Sequence, residues 1–438
     1  MFKTLRNALK IEDIRKKLFF TFLMLVVVRF GSQLPIPGVN RNYFAEWFAA
    51  QTGDAFNFFD AFTGGSFTSM SLFALGITPY ITSSIIMQLL TIAIPKLEEM
   101  QKEGEDGRKK IQTFSRYLTV ALALIESIAM TIGFGNRGLL ETANIPNMIV
   151  VVAAMTAGSA FLMWIGEEIT EHGVGNGISI VLLINIVSRI PDDFVTLYDQ
   201  FIKGKTILNG ALAAVIILAV VLVTVVFVIF LQGGERRIPV QYAKKMQGRK
   251  MVGGQSTNIP LKVNTAGVIP VIFASSLMSF PGVIASLLGK TGGTGIGGRI
   301  LTGLSQSSWC DPKQPVYSIG LLIYIVLVVF FAYFYTSITF NPIEISNNMK
   351  RQGGFIPGIR PGKPTTEYLS KILNYIVFIG AIGLIIVCVI PIAFNGFFGA
   401  DVSFGGTSII IIVGVVLETL KQIESQMLVR YYKGFLND

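Results

Sequence analysis

Residues 211–231 read ALAAVIILAVVLVTVVFVIFL and contain no charged side chain. A helix needs about 20 apolar residues to cross a bilayer, so this run predicts a membrane-spanning helix. The chain contains ten apolar stretches, near residues 18–36, 75–95, 113–133, 148–166, 176–190, 211–231, 265–289, 316–339, 371–393 and 405–420. Only 14% of the residues are charged, against roughly 25% in a typical soluble domain. The sequence therefore predicts an all-α polytopic membrane protein with ten transmembrane helices.

The segments between the predicted spans differ strongly in their basic residues. Counted from the N-terminus, the odd-numbered segments carry most of the lysine and arginine outside the spans. These segments are 1–17, 96–112, 167–175, 232–264, 340–370 and 421–438. Because segments rich in Lys and Arg stay in the cytoplasm during insertion, we expect both termini to be cytoplasmic.

One part of the chain does not fit a simple series of spans. Residues 56–70 read FNFFDAFTGGSFTSM, which is aromatic and rich in Gly, Ser and Thr, and too short and broken to cross a bilayer. Irregular backbone at membrane depth is tolerated only where protein buries it or where it lines a wet cavity. The segment therefore predicts a re-entrant element, and an external amphipathic loop is the alternative.

Several spans carry polar side chains. The second span mixes hydroxyls and Gln88 with Ile81 and Ile85, which lie four residues apart and therefore on one helix face. Such hydroxyls usually serve close helix packing, and a polar pathway is the alternative interpretation. Glu126 lies in the middle of the third span, and a carboxylate inside a membrane is by default functional or paired.

The number of spans suggests an internal repeat. Ten spans divide into two sets of five, and an odd-numbered unit repeated once must insert its second copy upside down. We therefore predict two inverted five-helix halves, residues 1–190 and 191–438. The basic segments 232–264 and 340–370 contain Pro-Gly and Gly-Gly turn signals, and we interpret them as docking arms for an acidic or ribonucleoprotein partner.

The sequence offers no basis for catalysis. His172 is the single histidine, so a zinc site is not expected. The tripeptides at 204–206 and 289–291 resemble the end of a phosphate-binding loop but lack its first glycine. We expect no enzyme activity, no metal, no cofactor and no direct nucleotide binding, so that any active transport takes its energy from a partner or a gradient.

Four motifs in chain order carry a family resemblance. They are GITPYI at 76–81, GVGNGIS at 173–179, QSTNIPLKVN at 255–264 and FIPGIRPG at 355–362. The chain closely resembles the SecY family of bacterial protein-conducting channel subunits over essentially its whole length. The resemblance implies an hourglass of two five-helix halves that is closed by an apolar ring and a short plug helix. It also implies sideways opening between the second/third and seventh/eighth spans.

The resemblance assigns roles to particular residues. The implied pore ring is Ile81, Ile85, Ile186, Ile272 and one of Ile409 to Ile412, with Ile409 taken here. The implied plug, within residues 62–70, includes Phe62, Gly64, Gly65, Phe67 and Met70. The implied lateral gate contains Gln88, Glu126, Ser275 and Ser276. The implied docking residues are Arg249, Lys250 and Arg360, and we expect Arg360 to matter most.

The implied function is passage of unfolded preproteins across the bacterial plasma (inner) membrane and sideways release of signal or transmembrane segments into the lipid bilayer. The implied partners are SecE and SecG at the sides, the SecA motor ATPase or a ribosome at the arms, and preprotein signal sequences. Two other classes remain as alternatives. An ion-coupled secondary transporter needs charged residues near the midplane of broken helices, and an intramembrane enzyme needs a nucleophile, base or metal ligands.

Overall fold

A computed structural model describes most of the chain, namely residues 6, 8–50, 60, 62–135, 138, 140, 142, 144–201, 207–242, 245–247, 250–252, 256–287, 296–304, 308–310, 314–398 and 406–434. The helices are α1 (Glu12–Gly31), α2 (Arg41–Ala50), α3 (Thr78–Ala93), α4 (Pro95–Lys102), α5 (Glu105–Phe134), α6 (Ile145–His172), α7 (Gly177–Phe201), α8 (Ile207–Gly233), α9 (Ile269–Leu287), α10 (Ile296–Leu304), α11 (Ile319–Thr339), α12 (Pro342–Arg351), α13 (Lys363–Phe398) and α14 (Gly406–Gly434). The strands are β1 (Glu235–Tyr242), β2 (Lys245–Gln247), β3 (Lys250–Val252), β4 (Ser256–Lys262) and β5 (Gly354–Phe355).

Each of the ten predicted spans overlaps one helix, in the order α1, α3, α5, α6, α7, α8, α9, α11, α13 and α14. Within the described residues, five helical stretches are long and apolar enough to cross a membrane alone: Glu105–Phe134, Ile145–His172, Ala214–Gly233, Pro315–Arg351 and Lys363–Ala393. The stretches Thr78–Ala93 and Pro95–Gln101 meet the same test together and are bent by 106°. The prediction of a helical, polytopic membrane protein is confirmed.

The bend between α3 and α4 has a local cause. Pro95 begins α4 directly after Ile94, which has an extended backbone with φ −111° and ψ 110°. A proline disfavours the helical conformation of the residue before it and has no N–H to continue the hydrogen-bond ladder. The membrane helix α3 therefore ends at Ala93, and α4 turns away as a polar helix.

The helices pack as two groups, and few helix pairs are in contact between the groups. In the first group α5 packs against α3 and α6, and α6 also packs against α7 and α1. In the second group α11 packs against α9 and α13, while α8 packs against α14 and α13. Between the groups, α7 packs against α14 and α8, and α9 packs against α5. The predicted boundary at residue 190 falls inside α7, which continues to Phe201.

The described parts of segments 232–264 and 340–370, which we call the arms, are folded, whereas the sequence predicts loops there. Strand β1 pairs antiparallel with β4 from Glu235↔Lys262 to Gln241↔Ser256, and its end also pairs with β5. The sheet order is β4-β1-β5, and β2 and β3 form a separate hairpin. Alternate residues of β1 are buried, as one-sided packing of a strand requires. The sequence of β1 contains two arginines and a proline, so its alternation of buried and exposed residues did not predict a strand.

A hydrophobic cluster attaches the arms to a membrane helix. Its buried members come from β1, β4, α12, the 355–362 segment and α13: Ile238, Val240, Leu261, Met349, Ile356, Leu369, Ile372 and Ile376. Further along α13, Leu384 and Val387 belong to the core of the second helix group. The same 36-residue helix α13 therefore contributes to both the cluster under the arms and the membrane core.

Candidate functional site

A cavity of about 1010 Å³ opens between the two helix groups. Its wall includes residues of α3, α5, α6 and α7 on one side and of α9, α11 and α14 on the other. The charged residues of the wall are Lys109, Arg116, Glu167, Glu171, Lys262, Glu418 and Lys421. Most of them lie on segments that we expect to be cytoplasmic, so the cavity opens on the side of the docking arms.

The wall becomes apolar where the predicted pore ring lies. Ile81, Ile85 and Ile272 line the cavity, as does Ile411 of α14. Ile81 and Ile272 also pack against the buried cluster that contains Ile186 and Ile411. The structure therefore brings residues of α3, α7, α9 and α14 together in one apolar cluster beside the cavity.

Of the two isoleucines Ile409 and Ile411 in α14, the structure places Ile411 at the cavity and Ile409 away from it. Ile409 is buried in the core of the second helix group, in the same cluster as Val271 and Val387. Ile411 lines the cavity and belongs to the same cluster as Ile186. Residues two positions apart on a helix differ by about 200° in direction, so only one of this pair faces the cavity.

The plug segment, residues 62–70, is folded into the protein. Phe62, Phe67 and Met70 are all buried. Phe62 belongs to the same cluster as Ile186 and Ile411, whereas Phe67 and Met70 pack in the core of the first helix group. Such burial favours the re-entrant element over an external loop.

Two glycines shape the start of the plug segment. Gly64 has φ +66° and Gly65 has φ +82°, which residues other than glycine rarely adopt. A Cβ on Gly64 would lie 2.7 Å from the carbonyl oxygen of Asn185 in α7, whereas a Cβ on Gly65 would meet nothing within 4 Å. The Asn185 amide also donates a hydrogen bond to the Phe62 carbonyl at 3.3 Å. The plug segment therefore packs directly on α7, and the sequence analysis did not identify Asn185.

The predicted lateral-gate residues do not form one polar group. Gln88 lines the cavity, and Ser276 is exposed. Ser275 is buried and donates to the Tyr324 hydroxyl at 3.4 Å, so its bond lies inside the second helix group. Glu126 is partly buried on α5. The only helix contact of substance across this seam, within the described residues, is that of α5 with α9.

The predicted docking residue Arg360 lies on an ordered, exposed turn. Its side chain is exposed and its carbonyl accepts from Thr365 Oγ1 at 2.9 Å. Gly358 and Gly362 frame it with φ +84° and +103°, and Ile356 anchors the turn in the arm cluster. Arg249 lies outside the described residues. Lys250 is the first residue of β3.

Two ion pairs at the cavity mouth were not predicted from the sequence. Arg116 Nε and Glu167 Oε1 are 2.8 Å apart and join α5 to α6. Lys421 Nζ and Glu235 Oε1 are 3.1 Å apart and join α14 to β1. The two residues of the first pair are 51 positions apart in the sequence, and those of the second pair are 186 positions apart. No local sequence pattern therefore predicts these pairs.

Comparisons with known proteins give one family. Residues 71–420 match the sequence profile of the SecY family. The chain is 43% identical to the protein translocase subunit SecY of Halalkalibacterium halodurans, with 100% of each chain covered. It is also 43% identical to that of Bacillus subtilis, again with 100% of each covered.

Solved structures share the fold. One reported as the structure of a protein conducting channel has a TM-score of 0.62 at 19% identity, covering 94% of this chain and 93% of that chain. A SecY structure reported for its plug domain has a TM-score of 0.61 at 20% identity, covering 94% and 92%. Sec61 from the canine ribosome-channel complex has a TM-score of 0.57 at 18% identity, covering 94% and 93%. Since the profile spans most of the chain and the relatives match it from end to end, the chain belongs to the SecY family.

Proposed function

We propose that this chain is the central pore subunit of a protein translocation channel, which passes unfolded preproteins across the bacterial plasma membrane. The observation that carries this function is the cavity between the two helix groups, whose wall includes Ile81, Ile272 and Ile411. The translocase relatives support the same function. They do not support an ion-coupled transporter of a small solute.

The isoleucines are suited to seal a pore that must also open. Their side chains offer no oxygen or nitrogen to coordinate an ion, so an ion at the ring would lose its hydration without replacement. Branched aliphatic side chains are soft enough to yield around a passing chain. The plug segment lies against the same cluster through Phe62 and acts as a second closure.

The seam between α5 and α9 is the exit for apolar segments. Few contacts join the two helix groups there, so separating them disturbs little packing. An apolar signal or transmembrane segment that enters the cavity replaces helix contacts at the seam with its own. Gln88 on the cavity wall and Glu126 on α5 lie on the helices that flank this exit.

The folded arms serve as docking sites for the partners that supply energy. The chain has no nucleotide-binding motif, so the SecA motor ATPase or a translating ribosome must drive transport. A related Sec61 structure was determined in a ribosome-channel complex. Arg360 is exposed on a turn held by Ile356, which suits an encounter with an acidic surface or RNA. SecE and SecG bind at the sides, and both termini lie in the cytoplasm.

The test is reconstitution of the purified chain with SecE, SecG, SecA and ATP in lipid vesicles. A fluorescent preprotein should become protected from added protease inside the vesicles, and protection should require both ATP and an intact signal sequence. A vesicle preparation that takes up a small solute down an ion gradient, and protects no preprotein, would overturn the function. Vesicles without this chain give the baseline.

A further inference from the structure

A buried ion pair joins the plug segment to α7. Asp60 lies two residues before Phe62, and its side chain is only 1% exposed. It pairs with the guanidinium of Arg189, and its Oδ1 accepts a hydrogen bond from the Thr68 backbone N–H at 2.9 Å. The carboxylate therefore holds the plug segment together internally and attaches it to a neighbouring helix at the same time.

The same face of α7 makes a second polar contact with the plug. Asn185 lies four residues before Arg189, so the two side chains share a helix face. The Asn185 amide donates to the Phe62 carbonyl, and Gly64 fits against the Asn185 backbone. If the plug moves away from α7, the hydrogen bond from Asn185 to the Phe62 carbonyl must break and the ion pair must separate.

The other end of the plug is held in a different way. The Met70 carbonyl accepts from the Ile36 N–H at 3.2 Å, and the Leu72 N–H donates to the Leu34 carbonyl at 2.9 Å. Arg41 Nε donates to the Ser69 carbonyl at 2.9 Å. All of these contacts stay within the external segment that precedes the plug. Within the described residues, the polar side-chain contacts that attach the plug to a helix lining the cavity lie at its Asp60 end.

Helix α7 connects the ion pair to the pore. Leu182 of α7 lines the cavity, and Ile186 of the ring lies just under one turn before Arg189. A chain that pushes Ile186 outward therefore displaces the helix next to the ion pair. Separating two buried charges without new partners is costly, so the pair resists small displacements and is lost only when the plug reaches water.

We propose that Asp60 and Arg189 form an electrostatic latch that holds the plug segment on α7 and sets how readily the closed channel opens. The latch rests on the proposed function, since it regulates the same pore. It predicts that the two side chains act as one unit. Removing either charge should release the plug, and removing the second charge should then change little.

The test is a double-mutant cycle read by the exposure of the plug. In a background of Cys310→Ser and Cys388→Ala, Ser66→Cys places one thiol on the plug at a residue that is 2% exposed. Its labelling by a membrane-impermeant maleimide is measured in vesicles without substrate. The variants are Asp60→Asn, Arg189→Met and the double replacement.

Both single variants keep local partners that favour folding. In Arg189→Met the Asp60 carboxylate still accepts a hydrogen bond from the Thr68 N–H. In Asp60→Asn the side-chain amide oxygen can still accept a hydrogen bond from the Thr68 N–H, as the carboxylate does in the parent. In the same variant Asp192 and Asp193 remain near Arg189 and offset its charge. We therefore expect both variants to fold, so that their labelling rates report on the position of the plug.

Each single replacement should speed labelling by about ten-fold, because either one removes the attraction between the two charges that holds the plug segment on α7. The double replacement should label no faster than the single ones. Arg189→Lys keeps the charge and should label nearly as slowly as the parent. Glu12→Gln breaks an exposed pair with Lys16 in α1 and should leave the rate unchanged.

Unchanged labelling in both single variants, or effects that simply add in the double variant, would overturn the latch. The latch would also be overturned if Arg189→Lys labelled as fast as Asp60→Asn and Arg189→Met. The plug would then be released by lost packing and not by a lost charge. Preprotein translocation is measured in the same parent vesicles. Vesicles that translocate but show no coupling reject the latch alone, whereas vesicles that do not translocate reject the proposed function.

Discussion

Gly64 of the plug segment lies against the backbone of Asn185 in α7, so closely that an added Cβ would be 2.7 Å from the Asn185 carbonyl oxygen and 2.9 Å from its Cα. The next residue, Gly65, has the same kind of backbone conformation and open space around it. Comparing these two glycines distinguishes the effect of backbone strain from that of steric contact. Both carry a positive φ, and only Gly64 is pressed against another helix.

We expect Gly64→Ala to displace the plug and raise the ion conductance of the resting channel. The clash with rigid backbone adds to the left-handed strain of about 1–2 kcal/mol that alanine meets at a positive φ. Gly65→Ala carries the strain alone and should leave conductance near that of the parent. Single-channel recordings in planar bilayers make the measurement. Equal conductance of the two variants would show that the contact with Asn185 does not position the plug.

The isoleucine ring makes a prediction that distinguishes two neighbouring residues. Ile411→Ser together with Ile81→Ser should admit water to the constriction and raise ion conductance. Ile409→Ser places a hydroxyl in the core of the second helix group, so it should lower the yield of folded protein without opening the pore. The same bilayer recordings, combined with thermal unfolding in detergent, test both. A conductance rise from Ile409→Ser and none from Ile411→Ser would reverse the assignment.

The seam predicts a change in signal recognition. Replacing Gln88 and Glu126 with Leu should make the flanking helices more lipid-like, so that less hydrophobic signal segments are accepted. The shift should be modest, because only two side chains of the seam change. A graded series of signal sequences measures it. Ser275→Ala is the control, because its bond to Tyr324 lies inside one helix group and its loss should leave the threshold unchanged.

The arm turn predicts a loss of coupling without a loss of fold. Arg360→Glu should abolish transport driven by SecA while membrane insertion and thermal stability stay at the parent level, because the side chain is exposed. Charges at the rim of an interface mainly control the encounter with the partner. Lys10→Glu, also an exposed basic residue, is the control and should transport normally. Normal transport by Arg360→Glu would remove this residue from the docking site.

The arm cluster predicts a stability effect at the base of the same turn. Ile356 is buried between the sheet and α13, and truncation of a buried isoleucine to alanine costs about 2–5 kcal/mol. Ile356→Ala should therefore loosen the turn that carries Arg360 and lower the affinity for SecA. Limited proteolysis should then cut residues 340–370 sooner. Protease resistance equal to the parent would mean that the turn is held by its hydrogen bonds alone.

Hydropathy and charge were sufficient to predict the ten helices that overlap the predicted spans. Each predicted span overlaps a helix because a bilayer admits few alternatives to an apolar helix of about 20 residues. The sequence leaves open which of Ile409 to Ile412 belongs to the ring, because four consecutive isoleucines carry no periodic signal. Only the packing of α14 decides which one faces the cavity. The arm sheet was missed because β1 alternates only weakly in sequence. Asp60 and Arg189 were missed because their pairing depends on how the plug segment folds back onto α7.

The shared helix α13 has a mechanical consequence. Ile376 in the arm cluster and Leu384 in the membrane core are separated by about 12 Å of continuous helix, at a rise of about 1.5 Å per residue. No proline interrupts this stretch, since the prolines of α13 are Pro364, in its first turn, and Pro391. A force applied to the arm therefore acts on a stiff rod rather than on a flexible tether. Such a force is transmitted along α13 to the second helix group.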